Sequence, residues 1–337
     1  MSLAICIPAR NEAARLPRLF QGIDQLALPA DAEVHLCLLL DGCTDASART
    51  AMDYTRRSRH RVHVATTQGS AANVGAARDA AMRLGIAALG PSSGILLTTD
   101  ADSRPRPDWL HATIAALDHA DLVAGDVIRR TGRSDADQDR IEHYYARLFT
   151  LRRHVDPVEW EAPQTHHRAS GANMAMRAEV YVALGGFAPL TSGEDARLVD
   201  DASRAGLRVR RDAGSVVYTS ARRSGRAPGG LATALCALDR DGIGHVRVTH
   251  PADQLWQYRN HALARHAYAS GDLGLLCDAI GLGTDHLLGV ARDCPNGEAF
   301  AMRVVPTAPG GMRQVPLATA EIALTALLPD IAAVRAA

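Results

Sequence analysis

The sequence predicts an α/β protein built on a doubly wound sheet flanked by helices, with a mainly α-helical C-terminal region. Three observations predict it. Strand-like and helix-like segments alternate four times before residue 103. The first, second and fourth strands are continuous apolar runs, the pattern of parallel strands covered on both faces. Residues with ligand chemistry gather where those runs end, at the sheet edge where open α/β folds bind their ligands.

Leu3-Ala4-Ile5-Cys6-Ile7-Pro8 is the first strand, stopped by its proline. Asn11-Glu12 is expected to open a helix in which Leu16, Leu19, Phe20, Ile23 and Leu26 recur at helical spacing. Val34 to Leu40 forms the second strand and ends at Asp41-Gly42-Cys43-Thr44-Asp45, with Thr44 placed to cap a helix reaching about Ser58. Arg61 to Thr66 alternates as a third strand, and Ser70 to Leu89 is an Ala-rich helix. Ile95 to Thr99, apolar or β-branched throughout, is a buried strand that runs into Asp100-Ala101-Asp102. Alternate side chains of an extended chain point the same way, so Asp100 and Asp102 face one point in space. Two hard oxygen ligands suit Mg²⁺ or Mn²⁺, held by carboxylates together with substrate phosphates. The competing reading has both acids capping the helix that Pro105, Pro107 and Trp109 begin.

Composition narrows the class. The 337 residues are 47% hydrophobic and 22% charged with zero formal net charge, which is ordinary for a soluble globular chain and gives no reason to expect a nucleic-acid partner. All 37 cationic residues are Arg. The six cysteines form no C-x-x-C pair and no zinc-like spacing, which fits a reducing compartment, so a cytoplasmic location is expected. The chain opens directly on a strand pattern, and no apolar run approaches the ~20 residues of a membrane span, so neither a leader nor an integral membrane segment is expected. A G-x-G-x-x-G after the first strand and a G-x-x-x-x-G-K-[ST] are both missing, which argues against a dinucleotide fold and a P-loop.

Four motifs in order then carry a resemblance. Ile7-Pro8-Ala9-Arg10-Asn11-Glu12 resembles the I-P-x-x-N-E opening of family 2 glycosyltransferases, Asp41-Gly42-Cys43-Thr44-Asp45 their D-G-S-T-D, and Asp100-Ala101-Asp102 their D-x-D. Gly171 to Arg177, followed by Gly185-Gly186-Phe187 and Gly193-Glu194-Asp195, resembles the acceptor-side segment that ends in an E-D pair. The match covers about residues 1–220. It implies a GT-A-type doubly wound mixed sheet, and transfer of a sugar, a hexose above all, from a nucleotide-diphosphate donor to an acceptor hydroxyl. A UDP-sugar is the favoured donor, and the acceptor is a small molecule or a lipid-linked one.

By that resemblance Pro8, Ala9 and Glu12 line the nucleoside pocket, Asp41 accepts a hydrogen bond from the base, and Arg78 approaches the nucleotide. Asp102 is the firmer metal ligand, and Asp100 contacts ribose and metal together. Asp195 is the general base of an inverting transfer, with Glu194 shaping acceptor binding. Each residue also has a plainer role to weigh: first-turn helix charge for Glu12, an Asx turn for Asp41, a solvated helix face for Arg78, and the start of a helix near Ala196 for the E-D pair. Arg222, Arg223 and Arg226 in a Gly-rich segment form either a lid that pairs with the diphosphate or a solvated linker. Val217 to Ser220 lacks the His that many GT-A enzymes use as a third metal ligand, and no Q-x-x-R-W of processive members is present. His166 and His167 lie on the acceptor side, as contacts or as a structural pair.

Domains are expected at 1–222 for nucleotide-sugar binding and catalysis and at 223–337 for a helical region serving acceptor binding or homodimerisation. Helical character is expected over Gln254 to Ser270, Asp272 to Leu288 and Ala318 to Leu328, with a break at Pro329. The alternatives are a retaining GT-A enzyme acting on a glycerate-like acceptor, a sugar nucleotidyltransferase, which the absence of any Lys disfavours, and a non-catalytic binding module, disfavoured by the presence of both acidic pairs.

Overall fold

The structure, a computed structural model, describes residues 1–69, 73–90, 94–130, 135–223 and 229–334. In chain order the elements begin with β1 (Ser2–Ala9), α1 (Leu16–Asp24), β2 (Glu33–Asp41), α2 (Ser47–Thr55), β3 (Arg61–Thr67), α3 (Val74–Leu89) and β4 (Ile95–Thr98). They continue as β5 (Arg104–Pro105), α4 (Trp109–Leu117), β6 (Leu122–Arg130), α5 (Ala136–Val155), β7 (Met174–Arg177), α6 (Ala178–Ala183), α7 (Glu194–Arg204) and β8 (Val209–Ser220). After α8 (Leu231–Asp241) come β9 (Arg247–Thr249), α9 (Pro251–Ser270), α10 (Gly274–Ile280), α11 (Thr284–Arg292), α12 (Gly297–Val304), β10 (Gln314–Pro316) and α13 (Leu317–Val334).

Chain contacts divide the protein into two compact units, Met1–Arg133 with Ala162–Asp201 and Arg208–Ala234, and Ser134–Glu161 with Ala202–Leu207 and Leu235–Ala337. The first unit carries a sheet in the order β3-β2-β1-β4-β7-β6-β8-β5. The strands β1 to β4 pair in parallel, as the doubly wound pattern requires, whereas β7 runs antiparallel between β4 and β6. The sheet is therefore mixed. Its core is the apolar set read from the strands and α1: Leu3, Ile5, Ile7, Leu19, Phe20, Leu36, Leu38 and Leu97 are all but inaccessible to solvent. Trp109 of α4 joins them, fully buried, its Nε1–H donating to Asn173 Oδ1 at 2.8 Å. In the second unit Tyr144, Leu148 and Leu151 of α5 pack with Leu317, Ala320 and Leu324 of α13, and α9 to α12 enclose a separate cluster around Phe300.

Several local expectations are corrected. Asn11 does not open a helix: its φ of 53° places it in the left-handed region, and α1 begins only at Leu16, with a proline in its first turn. Thr44 does not cap α2: its hydroxyl is turned to Asn11 Oδ1 at 3.4 Å, and the helix starts at Ser47 with Ala46 in the N-cap position. Neither Asp100 nor Asp102 caps α4, whose N-cap position is Asp108. The helix expected from Ser70 starts at Val74, where Asn73 Oδ1 accepts from the Ala76 N–H at 2.9 Å. Residues 70–72 lie outside the described residues. The segment Asp272 to Leu288 is two helices, α10 and α11, parted at Gly281 with φ 69°. Finally α13 continues through Pro329, since one lost backbone hydrogen bond is outweighed by the packing of Leu317, Ala320 and Leu324 upstream.

Candidate active site

A pocket of about 440 Å³ opens in the first unit where β1, β2, β4 and β8 end. Its floor comes from the predicted residues themselves: Pro8, Ala9, Glu12, Asp41, Arg78, Asp100, Asp102, Glu194, Asp195 and Arg222 all line it. Among the described lining residues, six carboxylates face three guanidiniums, those of Arg10, Arg78 and Arg222. The pocket is thus acid-rich at neutral pH.

The rim is tied together by the loops that follow β1 and β2. Asn11 Oδ1 accepts from the Thr44 and Asp45 N–H groups at 2.7 and 3.2 Å, and Asp45 Oδ2 accepts from the Ala13 N–H at 3.1 Å. Ser47 Oγ accepts from the Glu12 N–H at 2.9 Å. These bonds hold Glu12, 4% exposed, against the pocket. Asp41, equally buried, accepts from Thr67 Oγ1 at 2.7 Å. Gly42 beside it has φ 58°, and a side chain there meets the Gly69 backbone.

Arg78 is not on a solvated face. It is buried at 4% exposure, pairs with Asp100 at 3.0 Å and Glu194 at 3.2 Å, and donates to the Gly171 carbonyl at 2.8 Å. A Cβ on Gly171 falls 2.5 Å from the guanidinium, so only glycine admits this packing. The same Gly171 donates its N–H to Asp195 Oδ2 at 3.0 Å. Arg78 therefore joins the D-x-D turn to the E-D pair through one peptide. Burial works against its charge, but Asp100 and then Glu194 outweigh this and raise its pKa.

Both acids of the E-D pair lie in the first turn of α7, where the helix dipole favours negative charge. Burial raises the Glu194 pKa and the charge of Asp195 adds to this, with Arg78 opposing both. Asp102 is likewise raised, first by burial and then by Asp100, against the pull of Arg222 and Ser220. Ser220 Oγ donates to Asp102 Oδ2 at 2.6 Å, Arg222 Nε pairs with the same oxygen at 3.3 Å, and Arg222 Nη1 donates to Glu12 Oε1 at 2.6 Å. Ser220, in the segment that lacks the third-ligand His, orients the second acid of the D-x-D.

Other candidates fall elsewhere. Arg223 donates to the Ala221 carbonyl at 3.1 Å and does not line the pocket; Arg226 lies outside the described residues. His166 is buried and also off the pocket. Its Nδ1 accepts from the Arg168 N–H at 3.2 Å, which assigns the proton to Nε2, an atom with no partner among the described residues. Burial, foremost, pushes the His166 pKa down to about 4. Asn173, in the sequence only one member of a motif, is a keystone: beyond Trp109 it bonds the Asp126 and Ser215 carbonyls, both at 2.9 Å, beside the bulge between Gly125 and Asp126. No group of three or more His, Cys, Asp or Glu among the described residues is arranged to hold a metal ion. No helix of the described residues is long and apolar enough to cross a membrane.

The family model described as Glycosyl transferase family 2 matches residues 4–183. Among solved structures, residues 1–349 of TarS from S. aureus in complex with UDP-GlcNAc are similar at a TM-score of 0.51 and 16% identity, over 90% of each chain. The mannosyltransferase PcManGT from Pyrobaculum calidifontis, in complex with GDP-Man and Mn²⁺, is similar at 0.50 and 18% identity, over 99% of this chain and 78% of that one. GalNAc-T7 with UDP, GalNAc and Mn²⁺ is similar at 0.50 and 15% identity, over 90% of this chain and 56% of that one. At these identities the likeness establishes the GT-A fold. No functionally curated protein matches the sequence.

Proposed function

The chain belongs to glycosyltransferase family 2, and from that premise we propose that it moves one hexosyl group from a nucleotide-diphosphate sugar, by preference a UDP-sugar, to an acceptor hydroxyl, inverting the anomeric centre and releasing the product after a single addition. One observation carries the reading: the D-x-D and E-D acids share a single pocket with Glu12 and Asp41, and Arg78 links the two pairs. In this reading Pro8, Ala9, Glu12 and Asp41 receive the nucleoside, and Asp195 takes the acceptor proton as its oxygen attacks the anomeric carbon. Glu194, held by Arg78, borders the acceptor. The structures of UDP-GlcNAc with TarS and of GDP-Man with PcManGT lend the donor class support.

The residues fit a hard divalent cation, Mn²⁺ or Mg²⁺. Asp100 and Asp102 offer two carboxylates in an acid-rich pocket, and the charge of Asp100 already strains ionisation of Asp102. A diphosphate brings further negative charge into that pocket, so a cation entering with it complements both. When bound, the ion would neutralise charge on the diphosphate as the glycosidic bond breaks. The acceptor is a small or lipid-linked alcohol, and the six free thiols suit a reducing, cytoplasmic setting.

A thermal-shift titration with UDP, GDP, dTDP and CMP, each with and without Mn²⁺, tests the proposal. One nucleoside diphosphate should raise the melting temperature in a Mn²⁺-dependent way, and Asp102→Ala should remove the effect. Silence from every nucleotide under every condition defeats the reading. With a donor in hand, Asp195→Asn should lower kcat by about 10²–10⁴-fold, and the anomeric proton of the product reports the stereochemistry.

A further inference from the structure

Arg222 stands between the two carboxylates that the nucleoside and the metal each need. Its Nη1 holds Glu12 Oε1 at 2.6 Å and its Nε pairs with Asp102 Oδ2 at 3.3 Å. It lies two residues beyond the end of β8, with its side chain 19% exposed, whereas the Arg78 side chain is 5% exposed and is tied as well to the Gly171 carbonyl. The Asp102 oxygen that Arg222 touches also accepts the Ser220 hydroxyl at 2.6 Å. A second cation seated on that oxygen must share its lone pairs with two donors and sit beside a guanidinium of like charge.

Resting on the glycosyltransferase reading above, we propose that Arg222 is a tethered counter-ion: before donor arrives it neutralises Asp102 and Glu12, it competes with a divalent cation for Asp102, and it transfers its fork to the donor diphosphate when that ligand enters. The planar guanidinium is suited to both partners, since carboxylate and phosphate oxygens are matched by the same pair of N–H groups. The consequence is a built-in order. A divalent ion alone meets an occupied carboxylate and binds weakly; a nucleoside diphosphate draws Arg222 away and at the same time supplies phosphate oxygens as ligands. The two ligands are then coupled through one side chain, and the coupling is reciprocal.

Binding of Mn²⁺ alone, read from the loss of the free hexaaqua Mn²⁺ signal by electron paramagnetic resonance, isolates the competition from any nucleotide. Arg222→Gln should bind Mn²⁺ about tenfold more tightly than the parent, and Arg222→Lys, which keeps the charge, should remain near the parent. Adding Asp102→Asn to Arg222→Gln should abolish the gained binding, placing the ion on Asp102. In the presence of Mn²⁺, Arg222→Gln should also bind the stabilising nucleoside diphosphate roughly tenfold more weakly. Equal or weaker Mn²⁺ affinity in Arg222→Gln overturns the proposal, as does a gain that survives Asp102→Asn or no Mn²⁺ binding by either protein. Those outcomes are separable from failure of the functional reading, in which no nucleoside diphosphate binds any of the proteins whatever Mn²⁺ does.

Discussion

Arg78 and Arg222 each bridge two carboxylates of one pocket, but at different depths. Arg78 sits with almost no exposure among Asp100, Glu194 and the Gly171 carbonyl, and a glycine is required opposite it. Arg222 reaches Glu12 and Asp102 from the end of a strand with a fifth of its side chain in solvent. A third guanidinium, Arg265 in the second unit, pairs with Asp156 and with Glu298, the latter at 2.6 Å, and is not among the residues that line that pocket. The same chemistry of one cation between two acids serves two ends. Arg78 is buried, whereas Arg265 is as exposed as Arg222, at 19% of its side chain, so exposure alone does not separate them. A triad that is buried or stands away from the pocket is architecture, and one that solvent reaches at the pocket, where a ligand can substitute, is exchangeable.

The sharpest way to break that contrast is Arg78→Met, which strands Asp100 and Glu194 without their counter-charge. It should cost about 3–5 kcal/mol of unfolding free energy in a denaturant titration. A loss comparable to that of a surface residue would place Arg78 in the same exchangeable class as Arg222. Next in size is Arg265→Met, expected to lower stability by about 3 kcal/mol while leaving the nucleotide affinity of the pocket unchanged. A change in that affinity would remove the distinction between a structural triad and a functional one.

His166 sharpens the comparison from a neutral group. Its folded pKa of about 4 lies below the ordinary 6.5, so the unfolded chain binds the extra proton between these values. Stability should be fully present above about pH 6.5 and fall as pH drops towards about 4, by at most about 3 kcal/mol. Melting temperatures across that window should fall less steeply for His166→Gln; an unchanged slope would mean that His166 does not carry the acid sensitivity. The smallest effect is expected at Asn11. Asn11→Ala should cost about 1 kcal/mol more than Asn11→Gly, because both lose the bonds to Thr44 and Asp45 but only alanine is strained at φ 53°. Equal costs would mean that the rim is held by its hydrogen bonds alone.

The parallel half of the sheet was legible because β1, β2 and β4 are apolar runs whose burial depends only on local pattern, and the acids at their ends stand beside them in sequence. The antiparallel half was not: β7 is four residues long, and its place between β4 and β6 depends on Asn173 bonding the Asp126 and Ser215 carbonyls, partners more than forty residues away. Helix α5 has no clear apolar stripe in the sequence, since few of its residues are buried and its partner α13 lies far along the chain. Sequence order and residue chemistry by themselves determined the alternating fold, the strand-end position of the acids and the family. Only tertiary structure decided that Arg78 is interior, that Ser220 and Arg222 hold Asp102, and that Asn11 serves the frame and not a helix. Those outcomes follow from distance and solvent exclusion between segments remote in sequence, and neither periodicity nor spacing records them.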